Sequence, residues 1–344
     1  MALSFDVLAS TLRILRDREV DNTFRTIPLL DAVKAKGNIE KVNGGSKVNH
    51  PVILAEHSSI TQLSTGYESV NLAVKDPLRT AEFDWCDFVA PVVVTEKEQL
   101  TNKGDRAVIR IAEARLKSVM GMLQREWCKQ VVAGTSTVLT ELNSMNGITA
   151  VTSPTNGFFE KLTFGNQTNT VGGIVKSDFK QSWQNQVANI KSAAPADLFK
   201  DTGLARMSKL MIDTQTYAPE GEVDIILASA KSYEQYRSAL TAQERYSSME
   251  QMRGISGKLG LLYNGAMMYI EPNLGYDIGG GDKMSMYFLN SKLFNVYFDQ
   301  DAFFEMGEMK AISGYAAMSS NIMTRTQLAI SHLAGQGVLI NAEA

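Results

Sequence analysis

The side chains able to do chemistry in this chain are few and scattered: three histidines (His50, His57, His332), two cysteines (Cys86, Cys128) and the acidic run Asp299, Asp301, Glu305. A zinc hydrolase of the HExxH kind needs two histidines one helical turn apart with a glutamate between them, and none of the three stands at such spacing. A calcium loop needs oxygen donors at alternate positions, and in FDQDAFFE the third of those is Phe303, so the run reads as a solvated acidic turn. GISGKL, Gly254 to Leu259, has the wrong glycine spacing for a phosphate loop and places Leu259 where a Ser or Thr would bind magnesium. It reads as a turn. The three glycines Gly279 to Gly281 open no recognisable helix and read as a loop rather than a dinucleotide site. No GxSxG elbow occurs. The residues therefore predict no catalytic centre, no metal site and no cofactor, and His50 and His57 fall in a predicted hairpin as surface or interface residues.

Composition narrows the class. Hydrophobic residues make up 44% of the 344 and charged residues 21%, the balance of a chain that buries a sizeable core. The net charge of -3 points to no strongly acidic or basic partner. The first 47 residues carry eight Lys/Arg against six Asp/Glu, far from a polybasic arm. Two cysteines without paired spacing, and an N-terminus MALSFDVLAS that lacks a basic region followed by an apolar core, predict a reduced, cytosolic setting. The longest apolar run, FVAPVVV (Phe88 to Val94), is too short to span a bilayer and predicts a strand.

The elements left to organise are matters of shape. Phe5, Leu8, Leu12 and Leu15 recur at helical spacing in a short amphipathic helix with nothing local to pack on. NTFRTIPLLDAVKAKG follows as an arm and then a short helix or irregular turn, with Gly37 closing the apolar series. KVNHPVILAE and YESVNLAV predict the two strands of a long hairpin joined by HSSITQLSTG. A two-stranded ribbon is marginally stable alone, so this one is expected to lie on something else, such as another subunit. AEFDWCDFVAPVVVTE is extended. From Asp105 to about Ala133 one helix is expected, on the order of 45 Å long, with Val108, Ala112, Leu116, Val119, Leu123, Trp127 and Val131 as its apolar stripe. Beyond it come a Thr/Asn/Gly-rich stretch to Gly173, a helix or strand in SDFKQSWQNQVANI, and a helix-like stretch from Ala196 to Leu210. VDIILA (Val223 to Ala228) predicts a buried strand, Ser232 to Arg245 a helix, and GAMMYIEPNLG, MSMYFLNSKLFNVYFD and Met309 to Ala342 further strands. The fold class is α+β.

In their order along the chain, NTFRTIPLLDAVKAKG, the hairpin ending in STGYESV, AEFDWCDFVAPVVVTEKEQLTNKGDRAVIRIAEARLKSVM, GGIVKSDFKQSWQNQV and MYFLNSKLFNVYF resemble the major capsid proteins of tailed bacteriophages with the HK97-type fold. The resemblance implies an N-terminal arm over residues 1–39 and an extended β-hairpin loop over 40–80. It implies a peripheral domain over 81–210 and 291–344, with the long spine helix 105–133 beside a sheet, and an axial domain over 211–290. It implies a structural protein rather than an enzyme, self-assembled as hexamers and pentamers into an icosahedral shell around double-stranded DNA in the host bacterial cytoplasm. A separate scaffolding protein and a portal would be its partners, with weak non-specific contact to packaged DNA and no membrane. Subunit contacts are expected through the loop tip (Ile60, Gln62, Leu63, Tyr67) and the arm (Phe5, Leu8, Leu12). The alternative is an encapsulin-like nanocompartment shell; a cytosolic enzyme with a dispersed active site ranks below both. Because no segment concentrates basic charge, binding of isolated subunits to duplex DNA is expected to vanish near physiological salt in a fluorescence-anisotropy titration. A nanomolar affinity persisting there would contradict the charge reading.

Overall fold

The computed structural model describes residues 28–54, 62, 64, 66, 69, 77–97, 116, 118–123, 127, 131, 170–189, 203–244, 251–253, 259–271 and 285–340. In chain order they form α1 (Pro28–Ala35), β1 (Ile39–Val42), β2 (Lys47–Ile53), β3 (Leu78–Asp84) and β4 (Cys86–Thr95). Next come the small hairpin β5 (Thr170–Val171) and β6 (Ile174–Val175), then β7 (Gln186–Asn189), α2 (Leu204–Tyr217), β8 (Ile225–Ala228) and α3 (Ala230–Glu244). The remainder is β-rich: β9 (Gln251–Arg253), β10 (Leu259–Tyr263), β11 (Ala266–Ile270), β12 (Ser285–Leu289), β13 (Phe294–Asp299), β14 (Glu305–Met306), β15 (Lys310–Ala311), β16 (Ala317–Ile330) and β17 (Gly337–Ile340). The observed class is α+β.

α1 starts at Pro28, whose missing N–H costs nothing in the first turn. Leu29, Ala32 and Val33 bury one face. The helix closes as a Schellman motif, in which Gly37 at φ +77 donates to the Lys34 carbonyl and Asn38 donates to that of Val33. The Asn38 amide then donates to the carbonyls of Lys292 and Phe294 at 2.8 and 3.0 Å, which delivers β1 to the edge of a six-stranded sheet, parallel to β13.

That first sheet is organised by β16. Its fourteen residues, on the order of 45 Å when extended, pair along one edge with β4 over ten residues, Ala317 opposite Thr95 to Thr326 opposite Cys86. Along the other edge β15, β14 and β13 pair in succession. β4 alternates as a one-face-buried strand should: Cys86, Phe88, Val92 and Val94 point inward, while Val89, Pro91 and Val93 are exposed. Into the core beneath come Leu116, Met120, Leu123, Trp127 and Val131 from the spine segment, whose described positions are helical and share one cluster with Phe88, Val92, Val296, Phe298 and Ile322. The stripe foreseen from the sequence is present in its described part, with Met120 added; Val108, Ala112 and the rest of 105–133 lie outside the described residues.

The second sheet has seven strands in the order β7-β17-β12-β8-β11-β10-β9. Successive residues of its strands feed different cores. Ile225, Leu227, Tyr269, Tyr287, Leu289 and Val338 join the large cluster under the first sheet. Ile226, Ala228, Met268, Met286, Phe288 and Leu339 join a second cluster with Met207, Leu210 and Met211 of α2 and Tyr236 of α3. Burial on both faces is why β8, IILA, is continuously apolar. α3 is capped by Ser229, whose Oγ accepts from the Ser232 amide at 3.3 Å. A reciprocal amide pair closes the end of the β12–β17 ladder: the Asn290 backbone donates to Gln336 Oε1 at 2.9 Å, and Gln336 Nε2 donates to the Asn290 carbonyl at 3.3 Å. Nearby, the Ser291 hydroxyl donates to Asp224.

Four expectations need correction. β2 (Lys47–Ile53) pairs with β3 (Leu78–Asp84) rather than with YESVNLAV, which apart from Ser69 lies outside the described residues. The helix foreseen to end at Leu210 runs on to Tyr217, with Met207, Leu210, Met211 and Thr214 carrying its buried stripe past the expected end; the foreseen start at Ala196 lies outside the described residues. β7 and β17, foreseen in the peripheral part, hydrogen-bond each other in the second sheet, because their burial partners lie there. Asp299 is not a solvated turn residue: it is buried and faces Arg325.

Arg325 stands opposite Asp87 in the β4–β16 ladder, with Nε 2.7 Å from Asp87 Oδ1, a second guanidinium nitrogen 3.3 Å from Oδ2, and the third 3.6 Å from Asp299 Oδ2. Its hydrogen bond to Asp87 holds the guanidinium above its ordinary pKa. One cation thus bridges β4, β16 and β13.

Two substitutions test these supports. Leu123→Asp places a charge in the shared core and is expected to cost about 3 to 5 kcal/mol, so folding is lost before any assembly, as circular dichroism and sedimentation would show. A soluble, folded variant would refute the stripe. Arg325→Ala strips the cation from Asp299, whose side chain is 7% exposed, and is expected to cost about 2 kcal/mol, whereas Asp87→Ala at a one-third exposed pair is expected to cost less than about 1. Denaturant midpoints of the two variants measure the difference; equal costs would mean that the Asp299 contact contributes nothing.

Candidate assembly surface

The ribbon β2–β3 grows out of the first sheet, and its two faces have opposite characters. On the inner face Val48 opposes Phe83 and His50 opposes Ala81; Val48, Phe83 and Ala81 pack into the large core. On the outer face Lys47 at the root lies 3.1 Å from Glu82 and 3.8 Å from Asp84, both contacts exposed. The Glu82 hydrogen bond raises the Lys47 pKa, and exposed pairs of this kind contribute little stability. Six residues along, the outer face turns apolar: Ile53, 69% exposed, sits directly opposite Leu78, 56% exposed. A cross-strand apolar pair facing solvent is unlike a singly exposed side chain, because it presents contiguous apolar area.

Several elements fix the ribbon's root. Trp85 Nε1 donates to the Gly45 carbonyl at 3.0 Å, and the Glu82 amide donates to the carbonyl of Gly172 at the β5–β6 turn. Gly172 is required there twice over: its φ is +57, and a Cβ would meet the Ala81 side chain at 2.9 Å and the Phe83 ring at 3.1 Å. Behind this turn the fully buried Trp183 donates to the Val171 carbonyl at 3.1 Å, and the buried Lys176 donates to Asn185 Oδ1 at 2.8 Å. Gln327 of β16 donates to the Asp84 carbonyl.

Farther along the ribbon stands a polar cluster. His50 Nδ1 is 3.0 Å from the Tyr297 hydroxyl, His50 Nε2 is 3.0 Å from Ser331 Oγ, and Asn295 donates to the same Oγ at 3.1 Å. Burial lowers the His50 pKa, partly offset by Glu40. A Ser–His contact of this length is within reach for proton transfer, but here Ser331 Oγ already accepts from Asn295, and the ring joins the ribbon to β13 and to the end of β16. It works as a fastening. Next to it a groove of about 800 Å³ is lined by Ile53, Leu54, Phe179, Lys180, Tyr217 and His332. Ser182 donates to the Leu54 carbonyl at its wall. The His332 ring lies in this groove with its Nδ1 buried and unpartnered, and burial pushes its pKa down to about 4.

Of the contact residues foreseen from the sequence, Gln62 is exposed; Ile60, Leu63, Tyr67, Phe5, Leu8 and Leu12 lie outside the described residues. Ile53, Leu78 and Tyr217 were missed. A signal was present for the first: in VNHPVIL the alternation breaks at Val52, Ile53 and Leu54, so both faces of the strand become apolar just before the loop. Cys86 is buried, its thiol pushed up to about 12, and is an inert core residue. Among the described residues no group of three or more His, Cys, Asp or Glu side chains could hold a metal ion, and no described helix is long and apolar enough to cross a membrane.

Neither a protein-family model nor a curated sequence relative matches the chain. Solved structures do. The chain is similar to a subunit of the cyanophage A-1(L) capsid asymmetric unit, at 12% identity, with 91% of each chain covered and a TM-score of 0.57. It is similar to the capsid protein of an empty GTA particle, at 10% identity, 90% of each chain and a TM-score of 0.53. A structure of Mycobacterium phage Bobi matches at 13% identity, 91% of each chain and a TM-score of 0.51. Identities this low leave fold as the shared property, and over nine-tenths of the chain that fold is the one used by phage capsid subunits.

Proposed function

We propose that this chain is the major capsid protein of a tailed phage or prophage, self-assembling as pentamers and hexamers into an icosahedral shell around double-stranded DNA. The observation that carries this reading is the shared fold with phage and GTA capsid subunits across nine-tenths of both chains. The surface agrees with it: a ribbon anchored at its root presents the Ile53–Leu78 pair outward beside a groove, apolar area that a neighbouring copy can cover. Heterologous contacts of that kind close into rings when repeated about an axis.

Within this reading residues 1–39 form the arm, 40–80 the extended loop, 81–210 and 291–344 the peripheral domain with the spine, and 211–290 the axial domain, to which β7 and β17 contribute strands. The arm residues Phe5, Leu8 and Leu12 and the tip residues Ile60, Gln62, Leu63 and Tyr67 contact neighbouring subunits. The role is structural rather than catalytic. A separate scaffolding protein and a portal direct assembly in the bacterial cytoplasm, and packaged DNA is touched weakly and without sequence preference.

Electron microscopy of the expressed protein tests the reading. Closed icosahedral particles are expected from the intact chain, and deleting Ser59 to Ser64 is expected to leave a folded subunit that no longer closes shells. Normal particles from the deletion would remove the loop from the contact, and a monomer at all concentrations would overturn the shell reading. Particles isolated from the native host that hold a protein cargo and no DNA would replace the phage capsid with the nanocompartment.

A further inference from the structure

Two of the three histidines meet at one junction. His50 projects from β2 and reaches Tyr297 and Ser331; His332, the residue after Ser331, lines the groove formed with Ile53 and Leu54 at the far end of the same strand. The turn following β16 therefore carries a hydrogen bond to the ribbon and one wall of the groove at its end, beside the Ser182 hydrogen bond to the Leu54 carbonyl and the burial of Val52 and Leu54 in the large core. We propose that His50 and His332 form a proton-sensitive latch, which fastens the ribbon at neutral pH and loosens it on acidification.

The hydrogen-bond inventory gives the reason. A neutral imidazole offers one donor and one acceptor. Around His50 either tautomer fits, since both neighbours are hydroxyls. A protonated ring donates from both nitrogens, so Ser331 Oγ must accept from His50 and Asn295 together and turn its own proton elsewhere. The charged groups facing each ring do little to stabilise a cation. His50 has Glu40 from β1 as its carboxylate neighbour, with Tyr297 and Asn295 on β13, Ser331 beyond β16 and Ala81 across the ribbon. His332 faces Asp178 and Lys180, which oppose each other, with Thr216 and Tyr217 from α2 and the apolar Ile53, Leu54 and Phe179. Its buried Nδ1 has no acceptor for a second proton.

The direction follows from linkage. Both imidazoles have folded pKa values below the ordinary 6.5, His332 at about 4. A released ribbon hydrates them and binds more protons, so the closed arrangement is fully favoured above about pH 6.5 and loses stability as pH falls from there toward about 4. A shift of that size changes the opening equilibrium by on the order of 10-fold or more between about pH 7 and about pH 5. The latch belongs to the single chain and does not depend on what the chain assembles into.

Hydrogen–deuterium exchange of the full chain, corrected for the intrinsic pH dependence, reads it out. Peptides covering Lys47–Ile53 and Leu78–Asp84 are expected to lose protection by on the order of 10-fold between about pH 7 and about pH 5, while Ala317–Ile330 keeps its own. His50→Gln combined with His332→Leu is expected to flatten that dependence. Ribbon protection indifferent to pH, a parallel loss in β16, or an undiminished dependence in the double variant each overturns the latch. Should the double variant not fold, imidazole NMR titration of the unmodified protein decides: both rings titrating below 6.5 supports the proposal, and either titrating at or above 6.5 overturns it.

Discussion

The long ladder between β4 and β16 is the constraint on which the other parts depend. A fourteen-residue strand hydrogen-bonded on both edges has its position fixed along its whole length, and each end then serves as a mounting point. Its N-terminal end holds β15 and the start of β4's partner register; its C-terminal end carries Ser331, His332 and the buried Gln336, which reach the ribbon and the second sheet. Arg325 locks the register from one face, because its fork meets Asp87 directly across the ladder and Asp299 on the other side. A one-residue slip would turn every inward side chain of β4 outward.

Two cores grow from this frame by the geometry of a pleated sheet. Alternate residues of the second sheet belong to different clusters, one closed by α2 and α3, the other shared with the first sheet and the spine. Apolar strands buried on both faces leave that region little freedom to rearrange. The ribbon is different in kind, since only its inner face joins a core and its outer face ends in a solvent-facing apolar pair. Stability thus concentrates in the body, and the surface suited to association lies on the element that leaves it.

Chemistry at this surface is that of fastening. The Ser331–His50–Tyr297 cluster has lengths that an enzyme would use for proton transfer, yet each group is engaged in holding one element to another. The same holds for Lys176 and Asn185 beneath the β5–β6 turn and for the Asn290–Gln336 pair at the end of the β12–β17 ladder. Buried polar groups carry a desolvation cost that their partners offset, and their directionality fixes how the apolar layers are oriented.

What the sequence by itself determined is periodic or local. The spine stripe from Leu116 to Val131, the continuous apolar run of β8 and the strand FVAPVVV were legible, because each is written in the spacing of one contiguous segment, whereas PLLDAVKA read equally as a short helix or an irregular turn. The broad α+β class followed from these, and the order of parts resembled a capsid chain. Pairing was decided only by the tertiary structure. Nothing local in IEKV announces a parallel edge strand on β13, and nothing in LRTAEFD distinguishes it from YESVNLAV as the partner of KVNHPVI; the choice rests on Val48 meeting Phe83 in a core assembled from segments far away in sequence. Asp299 looked like solvent-facing acid until Arg325 was brought to it, and His50 and Ser331, 281 residues apart, meet because β16 ends where the ribbon lies. Such contacts depend on how the chain closes on itself, and a linear pattern holds no term for that closure.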